Sequence, residues 1–306
     1  MAKFILGSVK GSAFSPAHIT GFFKAELDEN KKPEHQGSLG AGFSIEKGVT
    51  TTVEVEDSEF TDFKIRVSGY QPDNTQVSEF VIREFLENLE GSYFVNIHHD
   101  IKVPVGYGLG CSAAVALSLA YALNEAFGTS FSKEHLGQMA HNAEVVCRTG
   151  LGDVLASYHG GFEIRVKGGA PGIGQLEKIP TEMYSAIMIC FSPISTKQFL
   201  KERLSSINGL GGKMVDKLVQ TRDIDQFHEF SVEFADYVNI ITPKMKTVIN
   251  DLKSHGIKSG IALFGETIFT LVPQKIEGQV VEILEKYSDG IIIKSKIDDI
   301  GARLVS

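Results

Sequence analysis

The 306-residue sequence is poor in cysteine and has no cysteine motif. Cys111, Cys147 and Cys190 are an odd number, far apart, and no pair shows the CxxC spacing. This usage disfavours a disulfide framework and is typical of reduced thiols in a cytoplasmic protein. We therefore predict a cytoplasmic location.

Long hydrophobic runs and strongly basic runs are also missing. The most apolar stretch, 113–123, is too short to cross a bilayer, which takes about 20 helical residues. The apolar run within 1–16 is too short for a signal peptide. With 30 Lys and Arg against 38 Asp and Glu, the net charge is −8, and no basic run could neutralise a nucleic-acid backbone. We expect no membrane and no nucleic acid as partners.

The sequence does contain a glycine-rich loop directly before a strongly helical segment. Residues 104–114 read PVGYGLGCSAA, and an Ala- and Leu-rich stretch follows them. Glycine permits left-handed backbone and a close approach of backbone to a ligand. A helix N-terminus presents unpaired N–H groups and partial positive charge, which suit an anion. The pattern favours a phosphate site, and a tight strand-to-helix turn without a ligand is the alternative.

Two familiar phosphate motifs do not fit this loop. No Gly-Lys-Ser/Thr follows, so it is not a Walker loop, and Cys111 stands where a dinucleotide fingerprint has its third glycine. Ser112 begins the predicted helix. A hydroxyl in that position either caps the helix or faces a metal-bound phosphate.

Two carboxylates follow the loop at short spacing. His141 and Glu144 are three residues apart and share one face of a predicted helix over 132–148, and Gly152-Asp153 lies just beyond it. Taken singly, Glu144 is more simply a solvated helix residue, and Asp153 a turn residue or helix cap. Beside a phosphate site, however, paired carboxylates can hold Mg²⁺ and orient a nucleophilic hydroxyl.

Hydrophobic periodicity predicts an α+β protein in two lobes. Strands are predicted over 48–57 and 63–70, a strand pair over 92–106, and further strands at the start of 160–174, over 186–192, as a strand–turn–strand unit over 259–273, and over 290–298. Helices are predicted over 77–91, 112–127, 132–148, 196–208, 212–221, 225–239, 243–254 and 276–287. The Gly/Pro-rich end of 160–174 is the predicted boundary between domains of residues 1–172 and 173–306.

His98, His99 and Asp100 have the composition of a metal cluster but not its geometry. On a strand, adjacent side chains point to opposite faces, so the two histidines cannot share one ion. We interpret them as ordinary strand residues.

The glycine loop and its surroundings resemble the GHMP kinases, which include galactokinase and the homoserine, mevalonate and phosphomevalonate kinases. PVGYGLGCSAA is similar to their P-x-x-x-G-L-G-S-S-A-A motif, and the AEV…TGLGDVLAS run is similar to their second helix and Asp-containing loop. The segments 13–23, 37–55 and 141–165 resemble, more narrowly, archaeal-type pantoate kinases. The resemblance covers most of 10–172 and, more weakly, the C-terminal lobe.

This resemblance implies a two-lobed GHMP-kinase fold. An N-terminal ribosomal-protein-S5-like α/β lobe and a C-terminal ferredoxin-like α+β lobe would flank an active-site cleft. The implied activity is ATP- and Mg²⁺-dependent phosphorylation of the primary hydroxyl of pantoate to 4-phosphopantoate, in coenzyme A biosynthesis. A related kinase of homoserine, shikimate or mevalonate-type acids, or a GHMP-fold protein that binds without turnover, stays open as an alternative. So does a homodimer.

The resemblance also implies roles for individual residues. Ser112 and Glu144 would hold Mg²⁺, and Asp153 would orient or deprotonate the acceptor hydroxyl; these three are the expected catalytic residues. The ATP phosphates would lie against Pro104, Gly106, Gly108, Leu109, Gly110, Cys111, Ser112 and Ala113. Pantoate would be recognised by Ser38, His141 and Arg165, because its carboxylate and hydroxyls call for a guanidinium and neutral hydrogen-bonding groups. His18, in the first short motif, is a further expected substrate contact, with local hydrogen bonding in a turn as the alternative.

Overall fold

The computed structural model describes residues 9–28, 30–194 and 196–305, with the backbone alone for 196–202. Part of the segment 1–16 therefore lies outside the described residues. The strands are β1 (Val9–Glu26), β2 (Gly37–Asp57), β3 (Asp62–Gly69), β4 (Tyr93–Ile101), β5 (Phe162–Lys167), β6 (Gln175–Ile179), β7 (Tyr184–Pro193), β8 (Gly260–Ala262), β9 (Gly265–Pro273), β10 (Ile291–Lys296) and β11 (Arg303–Leu304). The helices are α1 (Gln76–Leu86), α2 (Cys111–Phe127), α3 (Lys133–Cys147), α4 (Asp153–His159), α5 (Thr196–Thr221), α6 (Ile224–Tyr237), α7 (Pro243–Ser254) and α8 (Glu277–Leu284), with short 3₁₀ turns at Pro33–His35 and Gln274–Ile276.

The first sheet has seven strands and is organised around the long hairpin of β1 and β2. Its order is β11-β1-β2-β4-β3, with β5 added to β2 and β6 added to β5. The second half of β2 pairs with β4, whereas its first half pairs with β5, so that Gly42 lies opposite Glu163. One strand therefore carries β1 on one side and two successive partners on the other. This branching brings β1, β2 and β5 side by side under the cleft.

Helix α2 is the centre of the N-terminal lobe. It is rich in alanine, and its buried residues cover nearly all of its circumference, as the sequence predicts. It packs on β1 and β2 and against α1, α3 and α4. A Cβ at Gly11 of β1 would lie 2.3 Å from the carbonyl oxygen of Ala122, so the strand backbone touches the helix directly. The helix ends at Gly128, which is left-handed with φ 60°, as predicted for a C-cap.

The C-terminal lobe is a four-stranded antiparallel sheet of order β10-β7-β9-β8 with helices packed against it. The two lobes share one hydrophobic core. Phe43 and Phe162 of the first sheet pack against Phe227 of α6, and Phe227 stacks on Phe269 of β9 with ring centroids 5.5 Å apart. Within the described residues, no helix combines the length and the hydrophobicity that crossing a membrane requires.

The predicted division at residues 172 and 173 stays a prediction. Strands β6 and β11 come after it in sequence but pair with β5 and β1 of the first sheet. Ile297 also forms a bridge to Ile45 of β2. The C-terminal segment therefore returns to the N-terminal lobe.

Several sequence-based element assignments are wrong. The predicted strand pair over 92–106 is the single strand β4, followed by the glycine loop. The two helices predicted over 196–208 and 212–221 are one helix, α5. The glycines between them are packing positions rather than breaks, because a Cβ at Gly211 would lie 1.9 Å from the carbonyl oxygen of Phe23.

Other elements have no signal in the sequence pattern. Strand β1 is buried on both faces over much of its length, so it shows no alternation of apolar and polar residues. The first half of β2 is similarly buried and rich in glycine. The short elements α4, β6 and β11 are also missing from the prediction.

We predict that Gly211→Ala destabilises the protein, although alanine is normally the better helix former by about 1 kcal/mol. The new methyl group would meet the backbone of Phe23, which cannot move cheaply, so the free energy of unfolding should fall by about 1–3 kcal/mol. Gly278→Ala in α8 is the matched control, because a Cβ there meets nothing within 4 Å. Urea unfolding should show opposite signs for the two variants; a stabilised Gly211→Ala would contradict the close packing.

Candidate active site

The glycine loop joins β4 to α2 and adopts a conformation that requires glycine. Gly106, Gly108 and Gly110 are all left-handed, with φ of 85°, 76° and 57°. A Cβ at Gly108 would lie 2.2 Å from the carbonyl oxygen of Leu263. No side chain caps the N-terminus of α2. Burial raises the pKa of Cys111 to about 12, so this thiol stays protonated.

Ser112 uses its hydroxyl on Glu144 rather than on the helix end. Its Oγ donates to Glu144 Oε2 at 3.0 Å, and Thr149 Oγ1 donates to Oε1 at 2.6 Å. Glu144 is buried, so the solvated position suggested by the residue alone is wrong. The pKa of Glu144 is raised to about 7, mainly by burial. The charge of Asp153 also raises this pKa, whereas the hydrogen bonds from Thr149 and Ser112 lower it. A cation that bound beside this carboxyl group would favour its ionised form, and the proton would be released to solvent.

Asp153 begins α4, and its carboxylate is held by two residues of β1. Oδ1 accepts a hydrogen bond from Thr20 Oγ1 at 3.3 Å and lies 2.7 Å from His18 Nδ1. Burial alone would raise the pKa of Asp153, but the hydrogen bond and charge of His18, with Arg165 behind it, keep the pKa below its usual value. The side chain is 17% exposed, so the ionised carboxylate still faces the cleft.

Behind Asp153 lies a fully buried chain of charged groups. His18 Nε2 is 3.0 Å from Glu163 Oε1, and the same oxygen accepts a hydrogen bond from Arg165 Nη1. Arg165 Nη2 donates to Thr20 Oγ1 at 3.4 Å. Burial lowers the pKa of His18, but Glu163 and Asp153 outweigh it, so the pKa is raised.

Two cavities meet at Asp153. The larger, about 650 Å³, is lined by the glycine loop, Ser112, Thr149, Arg148 and the segment 71–78. The smaller, about 20 Å³, is lined by Ser38, Leu151, Gly152 and Arg165, among others. Thr20, Asp153 and Phe264 line both. An acid at the junction can touch ligands in either cavity.

Comparison with known proteins identifies the family. Residues 76–161 match the family model described as the GHMP kinases N terminal domain. The chain is 31% identical to the pantoate kinase of Methanocaldococcus jannaschii over 278 residues, which are 89% of this chain and 96% of that protein. The chain belongs to the pantoate kinase family of the GHMP kinases. The pantoate kinase of Thermococcus kodakarensis is 30% identical over 264 residues, 85% of this chain and 87% of its own.

The solved structures agree with membership of the pantoate kinase family. A structure described as a phosphotransferase related to the CoA biosynthesis pathway superposes with a TM-score of 0.86 at 26% identity, covering 97% of this chain and 98% of the other. The two-lobed α+β fold expected from the sequence is thereby confirmed.

In this member of the pantoate kinase family, most of the expected phosphate-loop residues face the larger cavity. Those that line it are Gly106, Gly108, Leu109, Gly110, Cys111 and Ser112. Pro104 and Ala113 are buried, and Ala113 belongs to the core around α2. Ser112, Glu144 and Asp153 lie together at the end of the loop. Their individual roles remain predictions.

The expected pantoate-binding residues divide into two groups. Ser38 and Arg165 line the smaller cavity. His141 Nε2 instead lies 2.8 Å from the carbonyl oxygen of Gln36, which precedes β2 and Ser38, so its role in recognition stays a prediction. His18 is fully buried behind Asp153 and its contacts are with carboxylates, so the substrate contact expected of it stays a prediction.

The alternation predicted at His98 and His99 is confirmed. His98 is exposed and lies 3.0 Å from Ser68 Oγ, whereas His99 is buried between Thr51 and Ser78. Burial lowers the pKa of His99 to about 4, so the imidazole is neutral.

Glu163, Thr20 and Thr149 are site residues that sequence reasoning missed. Glu163 is two residues before Arg165 on a strand, so the two share one face, and this spacing was a usable signal. Thr20 is likewise two residues after His18 on β1. Thr149 has no comparable signal, because its contact with Glu144 depends on the turn after α3.

We predict that Glu144→Gln stabilises the metal-free protein at about pH 8. The folded-state pKa of about 7 lies above the value of about 4.3 in an unfolded chain. Between these values the folded state binds the extra proton, so the stability contributed by Glu144 falls as pH rises. Glu144→Gln should raise the free energy of unfolding by on the order of 1–3 kcal/mol at pH 8 and leave it unchanged below about pH 4.

Urea unfolding at the two pH values measures this difference. Glu59→Gln, which changes an exposed carboxylate, is the control and should have little effect at either pH. The same gain for Glu144→Gln at both pH values would show that the buried charge is not its cause.

Proposed function

We propose that this chain transfers the γ-phosphoryl group of ATP to the primary hydroxyl of pantoate, forming 4-phosphopantoate for coenzyme A biosynthesis. Family membership supports the reaction, and the position of Asp153 supports the mechanism. This carboxylate lies where a cavity walled by the glycine loop meets a cavity walled by Arg165. A nucleotide and an acidic acceptor would meet there.

The larger cavity suits ATP in size and lining. About 650 Å³ falls within the range of small-molecule sites, roughly 300–1,000 Å³. The phosphates would lie against the left-handed glycines and the uncapped N-terminus of α2, where backbone N–H groups and the helix dipole favour an anion. Arg148, on the same wall, adds a positive charge.

Ser112 and Glu144 fit Mg²⁺. They supply a hydroxyl and a carboxylate oxygen, the hard ligands that this ion prefers. The described residues contain no cluster of three or more acidic, His or Cys side chains that could hold a metal by themselves. One carboxylate with one hydroxyl matches a site that substrate phosphates complete. When bound, the ion would neutralise phosphate charge.

The smaller cavity suits the carboxylate of pantoate. Arg165 Nε is buried there without a hydrogen-bond partner among the described residues. A Cβ at Gly152 would lie 2.4 Å from Ser38 Oγ and 2.7 Å from Arg165 Nε, so glycine keeps the space between them open. A guanidinium edge beside a hydroxyl recognises a carboxylate. Since about 20 Å³ holds only one end of an organic acid, the primary hydroxyl would extend towards Asp153.

This chemistry argues against homoserine, and the similarity to pantoate kinases supports pantoate over shikimate or mevalonate-type acids. Homoserine carries an ammonium group, which an arginine-lined cavity does not favour. A protein that binds without turnover has no need for Asp153 to be ionised beside the phosphate loop, as its lowered pKa makes it.

The proposed reaction is an in-line transfer. Asp153 accepts a hydrogen bond from the primary hydroxyl of pantoate and aims its oxygen at the γ-phosphorus. The bond from this oxygen to phosphorus forms while the bond from phosphorus to the β,γ-bridging oxygen breaks, and ADP leaves. The hydroxyl proton passes to Asp153 and then to solvent. Catalysis is mainly positioning and charge neutralisation.

We predict that Asp153→Asn lowers kcat by about 10²–10⁴-fold, because the amide cannot take the proton. Incubation of wild-type enzyme with ATP and pantoate, with mass detection of phosphopantoate, tests the function itself. Titration with ATP should give nearly equal affinities for the wild-type enzyme and Asp153→Asn, since Asp153 is not expected to hold the nucleotide. A wild-type enzyme that binds ATP but forms no phosphopantoate would refute the proposal. Near-wild-type kcat in Asp153→Asn would remove this role.

We predict that Arg165→Lys raises KM for pantoate about 10- to 100-fold, with KM for ATP nearly unchanged. Lysine keeps a positive charge near Glu163 but loses the Nε–H edge that faces Ser38. Steady-state kinetics with each substrate varied in turn measures the split. Lys178→Arg, an exchange between cations on the protein surface, is the control and should change neither constant. Equal increases for both substrates would place Arg165 outside the acceptor site.

A further inference from the structure

His18 is enclosed between two acidic side chains. Its Nδ1 lies 2.7 Å from Asp153 Oδ1, its Nε2 lies 3.0 Å from Glu163 Oε1, and the side chain is fully buried. Thr20 Oγ1 is 3.4 Å from Nδ1. Both ring nitrogens of this fully buried side chain therefore face carboxylate oxygens.

The doubly protonated ring suits this geometry best. A neutral imidazole has one N–H donor and one lone pair, whereas an ionised carboxylate can only accept. A neutral His18 would direct its lone pair at a carboxylate oxygen at about hydrogen-bond distance, unless that carboxyl were protonated. An imidazolium donates to both, and charge-assisted hydrogen bonds of this kind are the strong ones.

The local charges lead to the same protonation state. Around His18 lie Asp153 from α4 and Glu163 and Arg165 from β5. With His18 charged, two carboxylates are balanced by two cations, whereas a neutral His18 leaves a buried excess of negative charge, which is costly. Glu144 of α3 and His159 of α4 lie further out: the charge of Asp153 helps to raise the pKa of Glu144, and burial lowers the pKa of His159 although Glu163 acts to raise it.

The sheet is shaped to permit this contact. His18 is on β1 and Glu163 on β5, and β2 lies between the two strands. A Cβ at Gly42 of β2 would lie 2.5 Å from His18 Nε2, and a Cβ at Gly40 would lie 2.7 Å from Arg165 Nη2. Two glycines thus clear the face of β2, so that side chains from the flanking strands meet across it.

The backbone of His18 also supports the phosphate loop. Its N–H donates to the carbonyl oxygen of Leu109 at 3.2 Å. A Cβ at Gly110 would lie 2.9 Å from the carbonyl oxygen of His18. His18 therefore contacts the phosphate loop through its backbone and Asp153 through its ring.

We propose that His18 is a positioning residue, held as an imidazolium, that fixes Asp153 relative to the phosphate loop and, through Glu163, to Arg165 of the acceptor cavity. This proposal rests on the function proposed above. His18 touches neither substrate. It keeps the Asp153 carboxylate ionised and in one orientation, and the shared Glu163 oxygen fixes the distance from that carboxylate to the guanidinium that would bind the acceptor.

The protonation state can be measured without turnover. In ¹⁵N-histidine-labelled full-length protein free of ligands, both ring nitrogens of His18 should give protonated signals from about pH 6 to pH 8, where a free histidine titrates. The spectrum of His18→Gln assigns the resonance. His99 and His228, whose pKa values burial lowers to about 4, serve as neutral internal references. A neutral His18 tautomer at pH 7 would overturn the proposal, whatever the kinase assay shows.

Kinetics test the positioning role. His18→Gln should lower kcat about 10- to 100-fold while ATP affinity stays within about twofold, since misplacing a reacting group by about 1 Å has this effect. Without the cation, burial raises the pKa of Asp153, so the acid limb of the kcat/KM profile should move to higher pH. A folded His18→Gln with wild-type kcat and pH profile would overturn the role.

Glu163→Gln gives a second, independent variant. It keeps the side-chain shape but removes the charge next to His18 Nε2. The His18 signals should then titrate at lower pH than in wild type, and kcat should fall with KM for ATP unchanged. Unaltered His18 signals in this variant would show that Glu163 does not hold the proton. If wild-type protein turns over no pantoate but His18 is doubly protonated, the proposed function fails and the charge assignment stands.

Discussion

The contact between His18 and Asp153, 2.7 Å from nitrogen to oxygen, is the interaction on which the site depends. A carboxylate at the bottom of a cleft that receives a triphosphate needs a positive neighbour, or burial would protonate it. An arginine or lysine from the cleft wall could provide the charge, but it would also compete for the phosphates. A cation buried behind the acid, as proposed for His18, avoids this competition, because the ring is fully buried and contacts Asp153 rather than the cleft.

The fold provides this arrangement through its sheet. Register irregularities in β1 fall on either side of His18, between Pro16 and Ala17 and between Thr20 and Phe22. Such irregularities re-aim side chains, and they are common next to active sites. The branching of β2 then places β5 one strand away from β1, and Gly40 and Gly42 leave room for side chains of the two flanking strands to meet across β2. The sheet topology and the placement of glycines therefore bring together the charged side chains that compensate one another at the site.

How much the sequence predicts depends on the range of each contact. The loop, α2 and α3 follow from local patterns, and the spacing from Ser112 to Asp153 indicates the phosphate end of the site. The contacts of His18 cannot be predicted from local sequence patterns. Its partners Asp153 and Glu163 are 135 and 145 residues away and come close to it only in the folded protein. Strand β1 itself is hidden, since burial on both faces removes the alternation that identifies a strand. The motif resemblance placed His18 at the site. It could not show whether the side chain lines the cavity or lies behind the residues that line it.

The two acids of the site are distinguished by their surroundings rather than by their type. Among the described residues, Glu144 has hydroxyl groups and no cation as hydrogen-bond partners, so burial raises its pKa to about 7. Asp153 is only partly exposed, and burial acts to raise its pKa, but His18 and Arg165 keep the pKa low. Opposite shifts in neighbouring carboxyls mark different chemical tasks. A carboxyl group that titrates near neutral pH, and that a bound cation would ionise fully, suits a metal ligand, whereas one that is ionised at neutral pH without a metal suits orientation of a hydroxyl. The opposite pKa shifts are compatible with the division of roles that the resemblance implied, and that division stays a prediction.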